Sequence, residues 1–275
     1  MKNILTILAL LICISSAAQQ GKLFIIGGGK RPQPMIERLI KEAGIKSRGY
    51  GIILPMSSSE PDSSVWYAKI QFTDLGLTNI VGMNFNKGDT PNKATLDSIK
   101  NASLIYISGG DQNKFMDIVK GTGIVEAIHK AYQNGSVIAG TSAGAAVMSK
   151  KMITGNELKH PDYSATFRNI EADNIEISKG LGLIDGIIID QHFVKRSRYN
   201  RLLSAAIEYP DHLGIGIDES TAILVNNNIA EVIGESQVIV IKNPAQSKKN
   251  QQGLLGANDL LISILLPGQK LNLNN

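Results

Sequence analysis

The feature that most limits this chain is a series of short apolar runs, most of them closed by glycine or proline and followed by an amphipathic stretch. Leu23-Phe24-Ile25-Ile26 runs into Gly27-Gly28-Gly29, and Gly51-Ile52-Ile53-Leu54 ends at Pro55. Leu104-Ile105-Tyr106-Ile107 breaks at Gly109-Gly110, and Val137-Ile138-Ala139 meets Gly140. Runs this apolar, with no polar alternation, are strands covered on both faces, as in a parallel sheet. Between them the spacing predicts helices over 34–43, 65–75, 93–100, 113–120 and 124–134, with Ile80-Val81 as a short strand. In the first helix Met35, Leu39 and Ile40 share one face. Strand and helix in alternation give a three-layer α/β fold around a mostly parallel sheet.

Beyond Ser178 the pattern changes. Ile187-Ile188-Ile189 is a strand and 197–208 a helix. Ile215, Ala222-Ile223-Leu224-Val225, Ala230-Glu231-Val232-Ile233 and Val238-Ile239-Val240-Ile241 then follow in close succession. Such spacing predicts antiparallel strands finishing a mixed sheet. The Asn- and Gln-rich end after Lys249 is expected to be peripheral.

Residues 1–18 read as a secretory signal peptide. Lys2 is followed by an apolar run from Ile4 to Ile14 interrupted only by Thr6, and then by Ser15-Ser16-Ala17-Ala18. The run is short for a membrane span. A secreted or periplasmic protein is expected, with no membrane association after cleavage and a single hydrolase domain over residues 19–275. Cys13 is the only cysteine, so a processed chain has no disulfide, zinc-thiolate site or cysteine nucleophile. The net charge of +4 in 275 residues is too small to argue a nucleic-acid partner.

In open parallel sheets ligands collect outside the carboxyl ends of the strands. Three loops fall there: Gly27-Gly28-Gly29, Ser108-Gly109-Gly110-Asp111-Gln112 and Gly140-Thr141-Ser142-Ala143-Gly144. The third is a G-x-S-x-G elbow, in which a sharp strand-to-helix turn presents Ser142 and small flanking residues avoid a clash. The Ala143 N–H, at a helix N-terminus, can face an oxyanion. The first loop lacks both the Gly-Lys-Ser/Thr ending of a phosphate loop and the G-x-G-x-x-G spacing. It is read as backbone in the crevice, and no cofactor is expected. A serine nucleophile needs a base. Of His129, His160, His192 and His212, position favours His192, which closely follows the apolar strand at 187–190. No His, Asp and Glu recur at metal-ligand spacing, so no metal is expected.

Several stretches together resemble the serine peptidases that include cyanophycinase and aspartyl dipeptidase. They are the loops at 108–112 and 140–144, Gly180-Leu181-Gly182-Leu183, and Asp190-Gln191-His192-Phe193 followed by Arg196, Arg198 and Arg201. Gly214-Ile215-Gly216-Ile217-Asp218-Glu219 with Thr221-Ala222 completes the set. The spacing around His192 looks like the cyanophycinase branch. The resemblance implies a fold like class I glutamine amidotransferases, with serine replacing cysteine, Ser142 as nucleophile and His192 as general base. It also implies an acid shortly after the elbow helix: Glu157 is chosen, with Asp162 and Glu171 as rivals. Gly109 or Gly110 would join Ala143 in the oxyanion hole.

The implied substrate is a peptide polymer with an aspartate backbone and arginine on the β-carboxylates, or a dipeptide. Arg196, Arg198 and Arg201 suit its carboxylates because guanidinium binds them bidentately. On one helix 198 and 201 would share a face, with 196 roughly opposite 198. Gln112, Asp190 and Gln191 are the other implied substrate residues. A homodimer is an admissible assembly. The expected activity is exopeptidic release of β-Asp-Arg dipeptides. The alternatives are a dipeptidase acting on short Asp peptides and a non-catalytic binding protein on the same fold.

Overall fold

The computed structural model describes residues 20–47 and 49–274; the expected signal over residues 1–18 lies outside them. The first half comprises β1 (Lys22–Ile26), α1 (Gln33–Ala43), β2 (Gly51–Leu54), α2 (Pro61–Thr73), β3 (Ile80–Gly82) and α3 (Lys93–Lys100). It continues with β4 (Leu104–Ile107), α4 (Gln112–Val119), α5 (Ile124–Gln133), β5 (Val137–Thr141) and α6 (Ala143–Ala146). The second half comprises β6 (Lys151–Glu157), β7 (Ile175–Lys179), β8 (Ile187–Gln191), α7 (Tyr199–Glu208), β9 (Leu213–Ile217) and β10 (Thr221–Asn226). It ends with β11 (Ile229–Gly234), β12 (Val238–Lys242), β13 (Lys249–Gln251), β14 (Leu254–Gly256), β15 (Leu261–Leu265) and β16 (Lys270–Asn272).

The main sheet runs β16-β11-β10-β1-β5-β4-β2-β3, parallel from β1 to β3 and antiparallel from β1 outward through β10. The pleat sorts its side chains into two cores. Leu23 and Ile25 of β1 pack with α3, α4 and α5, whereas Phe24 and Ile26 pack with α1 and α2. That double covering is why the strand carries no polar alternation.

Helix starts follow local chemistry. Pro61 opens α2 four residues before the expected start, since proline is pre-set for a first helical turn. The Asp111 carboxylate accepts from the Asn113 and Lys114 N–H groups and starts α4 one residue early.

The C-terminal strands do not all finish one sheet. β10 and β11 join the main sheet, but β8, β9, β12 and β15 form a second one, ordered β15-β12-β9-β8. Ile187 and Ile189 face the main core while Ile188 faces α7, so the Ile-Ile-Ile run is buried from both sides. A hairpin of β6 and β7 was not expected. Nor is the region after Lys249 wholly peripheral: β15 and β16 are edge strands of the two sheets, although most of their side chains stay exposed.

Candidate active site

Three strand ends converge here. β5 ends at Thr141, and Ser142 follows with φ 54° and ψ −113°. Such a left-handed turn is costly for a residue with a Cβ and is kept only where surroundings enforce it. They do: a Cβ on Gly140 would overlap the Gly144 carbonyl, and one on Gly144 would overlap the Ile107 carbonyl. Ser142 makes no capping bond to α6, so its hydroxyl is left for other partners.

β8 ends at Gln191 and delivers His192, also with positive φ. β9 lies parallel to β8, with Gln191 opposite Ile217, so Asp218 comes level with His192 and Glu219 follows one residue on. Ser142 Oγ lies 2.8 Å from His192 Nε2, and His192 Nδ1 lies 2.7 Å from Glu219 Oε1. A carboxylate can only accept, so Nδ1 carries the proton and Nε2 accepts from the serine hydroxyl.

The glycine loop after β1 makes room for this row. A Cβ on Gly28 would overlap the His192 ring, and one on Gly29 would lie 2.7 Å from the Glu219 Cβ. Its carbonyls also accept from the site: His192 N–H to Gly27 O is 2.8 Å and Ser220 N–H to Gly28 O is 3.0 Å. Close backbone approach, expected for this loop, is thus approach to an imidazole and a carboxylate.

None of the acids expected after the elbow is bonded to His192. Glu157 Oε1 accepts from Asn174 Nδ2 at 2.8 Å, Glu171 Oε2 lies 2.7 Å from His160 Nε2, and Asp162 is exposed. The unforeseen β6–β7 hairpin carries Glu157 and Glu171 away from His192 and groups them with His160, all within 4.8 Å. A set of metal-ligating types is therefore brought together despite unsuitable sequence spacing. Its members already serve one another and Asn174 as hydrogen-bond partners. Glu219 stood within the quoted Gly-Ile-Gly-Ile-Asp-Glu stretch; an acid just past an apolar strand was the signal available.

Burial pulls His192 below the ordinary imidazole value; the bond to Glu219 opposes this, and the charges of Arg196 and Arg198 reinforce it. Next to Ser142, Ala143 is fully buried. Among the described residues the N–H groups of Ala143, Gly109 and Gly110 have no acceptor, although those of Ser108 and Asp111 are bound to Leu54 and Ser57. Unpaired N–H groups beside a serine are rare enough to mark a place for an anion.

A cavity of about 260 Å³ opens on Ser142, with Gln112, Tyr163, Arg196, Arg198 and Arg201 among its walls. All three arginines reach it because α7 starts only at Tyr199. Arg196 therefore sits in a turn, free of the helical phase that would have set it opposite Arg198.

Two of the three are committed internally. Arg201 is held bidentately by the buried Asp190, through Nε to Oδ2 at 2.8 Å and Nη2 to Oδ1. Arg198 donates to both the backbone and side-chain oxygens of Gln191. Burial and the neighbouring Arg201 charge lower Arg198 to about 10, so it stays cationic at neutral pH. Asp190, 1% exposed, positions an arginine rather than lining the cavity. Gln112 Nε2 donates to the Ile153 and Thr154 carbonyls and ties α4 to β6. Tyr163 and Asn156, which also line the cavity, come from the β6–β7 segment that sequence reading left unassigned.

The Peptidase family S51 model matches residues 23–233. The chain is 31% identical over 252 residues to a cyanophycinase of Nostoc sp., covering 89% of this chain and 80% of that one. It is 33% identical over 213 residues to a cyanophycinase of Geminocystis herdmanii, covering 76% and 75%. Its fold is similar to that of a peptidase from an acI-B1 actinobacterium, with a TM-score of 0.67 and 21% identity over 93% of this chain and 98% of that one. With the match extending from β1 into β11, this chain belongs to peptidase family S51 and is a serine-type peptidase.

Proposed function

We propose that this peptidase hydrolyses cyanophycin, the Arg-Asp polymer, and releases β-Asp-Arg dipeptides through an acyl-enzyme on Ser142. His192 takes the Ser142 proton as Oγ attacks the carbonyl and returns it to the leaving amine; a water activated the same way then frees the acid. Glu219 holds the tautomer and offsets the imidazolium charge. The Ala143 N–H, with Gly109 or Gly110, receives the oxyanion. The observation that carries the substrate choice is the cavity beside Ser142, where Arg196, Arg198 and Arg201 meet. Asp190 offsets only one of the three guanidinium charges, so the wall keeps a net positive charge that suits the free carboxylate of an Arg-Asp unit. Residues 1–18 would direct the enzyme out of the cytoplasm, to act on polymer in the periplasm or medium.

The test is to incubate purified enzyme with the branched polymer and with Asp-X dipeptides and to identify products by mass spectrometry. Accumulation of β-Asp-Arg is expected. Turnover of the dipeptides with the polymer left intact would reassign the enzyme as an aspartyl dipeptidase.

The lowered His192 value gives a pH prediction. The base must be neutral, so kcat/KM should rise with pH through an inflection below about 6.5 and fall tenfold per unit on the acid side. A pH-rate profile of the free enzyme with its acid limb centred above 6.5 would contradict this assignment of the base.

A further inference from the structure

Gly110 faces the arginine-lined cavity, but Gly109, next to it, lines another on the opposite face of the main sheet. This second cavity has about the same volume, 270 Å³. It is close to the nucleophile: a Cβ on Gly109 would lie 3.3 Å from the Ser142 Cβ. Thr141, the residue before Ser142, is in its wall, with Tyr106, Arg31, Ser64 and Tyr67.

The chemistry of that wall is unfinished. Tyr106 Oη and Thr141 Oγ1 are buried and face each other, one hydroxyl donating to the other, with no further hydrogen-bond partner among the described residues. The two residues are 2% and 5% exposed. A buried O–H is seldom left without an acceptor in a native fold, and this pair of hydroxyls has one more than it can satisfy. Arg31 donates from Nε to Gln71 Oε1 at 2.6 Å and from Nη1 to Gly29 O at 3.3 Å. Among the described residues it has no carboxylate partner. The 13-residue helix α2 also begins here, with Ser63 and Ser64 of its first turn in the wall, so its positive end faces the same space. One O–H left without an acceptor, a guanidinium with no carboxylate partner among the described residues and a helix N-terminus are complementary to an anion. Glu60, exposed at the rim, adds one negative charge at the mouth.

We propose that this cavity is a subsite for a carboxylate of the substrate unit lying across the scissile bond from the unit held by Arg196, Arg198 and Arg201. The inference rests on the reading of Ser142 as the nucleophile of an Arg-Asp polymer peptidase. A chain crossing Ser142 has one unit on each side, and only one side leads to the arginine-lined cavity. On the other, the pendant arginine of the next unit is a zwitterion. Its carboxylate pairs with Arg31 and the remaining O–H of the Tyr106–Thr141 pair, and its guanidinium is left towards Glu60 and the exposed ring of Tyr67.

The test uses the Ser142→Ala protein and two-unit oligomers in which agmatine replaces arginine on one unit at a time, deleting one carboxylate and nothing else. Calorimetry should show weaker binding for each replacement, by about tenfold. Arg31→Met added to Ser142→Ala should abolish the penalty at one of the two units and leave it at the other. Tyr106→Phe in the same background should weaken the fully arginylated oligomer several-fold. Because its hydroxyl is paired within the protein only with Thr141, Tm should change little. Equal affinity for all three oligomers, or a penalty at both units that survives Arg31→Met, would overturn the subsite and leave the polymer reading intact. If no oligomer binds at all, the polymer reading fails and the subsite with it.

Discussion

Ser142→Ala is expected to abolish turnover, by roughly 10⁴-fold or more in kcat, while the protein stays folded and still binds its polymer. Alanine keeps the Cβ of serine, so the positive-φ elbow and the glycine contacts around it are unchanged. Only the hydroxyl 2.8 Å from His192 Nε2 is lost. With no nucleophile the oxyanion donors and the cavity can still hold the substrate, so dissociation constants should change little. Steady-state assays on the polymer, binding isotherms and thermal melts check the three parts. Turnover within tenfold of the parent would show that another group attacks the carbonyl.

The second large effect separates two carboxylates. Glu219→Gln should lower kcat on the order of 10³-fold, whereas Glu157→Gln should leave it within about threefold. Glu219 accepts from Nδ1 at 2.7 Å and faces the imidazolium that forms as Ser142 attacks. Replacing it by an amide removes that charge and permits the opposite tautomer, with Nε2 protonated and unable to accept; comparable replacements in triads cost up to about 10⁴. Glutamine at 157 perturbs only the bond from Asn174. The contrast is measured by kcat for both variants under matched conditions. Equal losses, or a larger loss at Glu157, would mean that the hairpin acids take part in the chemistry.

How much of this was readable from sequence depends on whether the governing contact is local. Ser142 was legible because a strand, a sharp turn and a helix must occur in immediate succession, and glycines mark the positions where backbones touch. His192 was legible by its place after an apolar strand. Glu219 was not selected, because its position depends on β8 and β9 lying parallel and in register, a pairing between strands separated by all of α7. The second sheet was hidden for the same reason: apolar strands in succession do not say which sheet each joins.

The β6–β7 hairpin escaped notice because Lys151-Met152-Ile153-Thr154 is short and partly polar, although Ile175 and Ile177 alternate as a half-buried strand should. For the arginines the residue types were informative but the phase was wrong, since the helix starts one residue past Arg198.

Ser142 and His192, the proposed nucleophile and base, follow strands of different sheets, which approach each other at the end of β1. There the Gly27 carbonyl accepts the His192 N–H, and a Cβ on Gly27 would overlap the Asp218 carbonyl. A slip of an ångström along this seam would lengthen the Ser142–His192 contact without breaking a ladder bond inside either sheet. The proposed proton path is thus set by how firmly two sheets that share one apolar core are held in register where β1 ends.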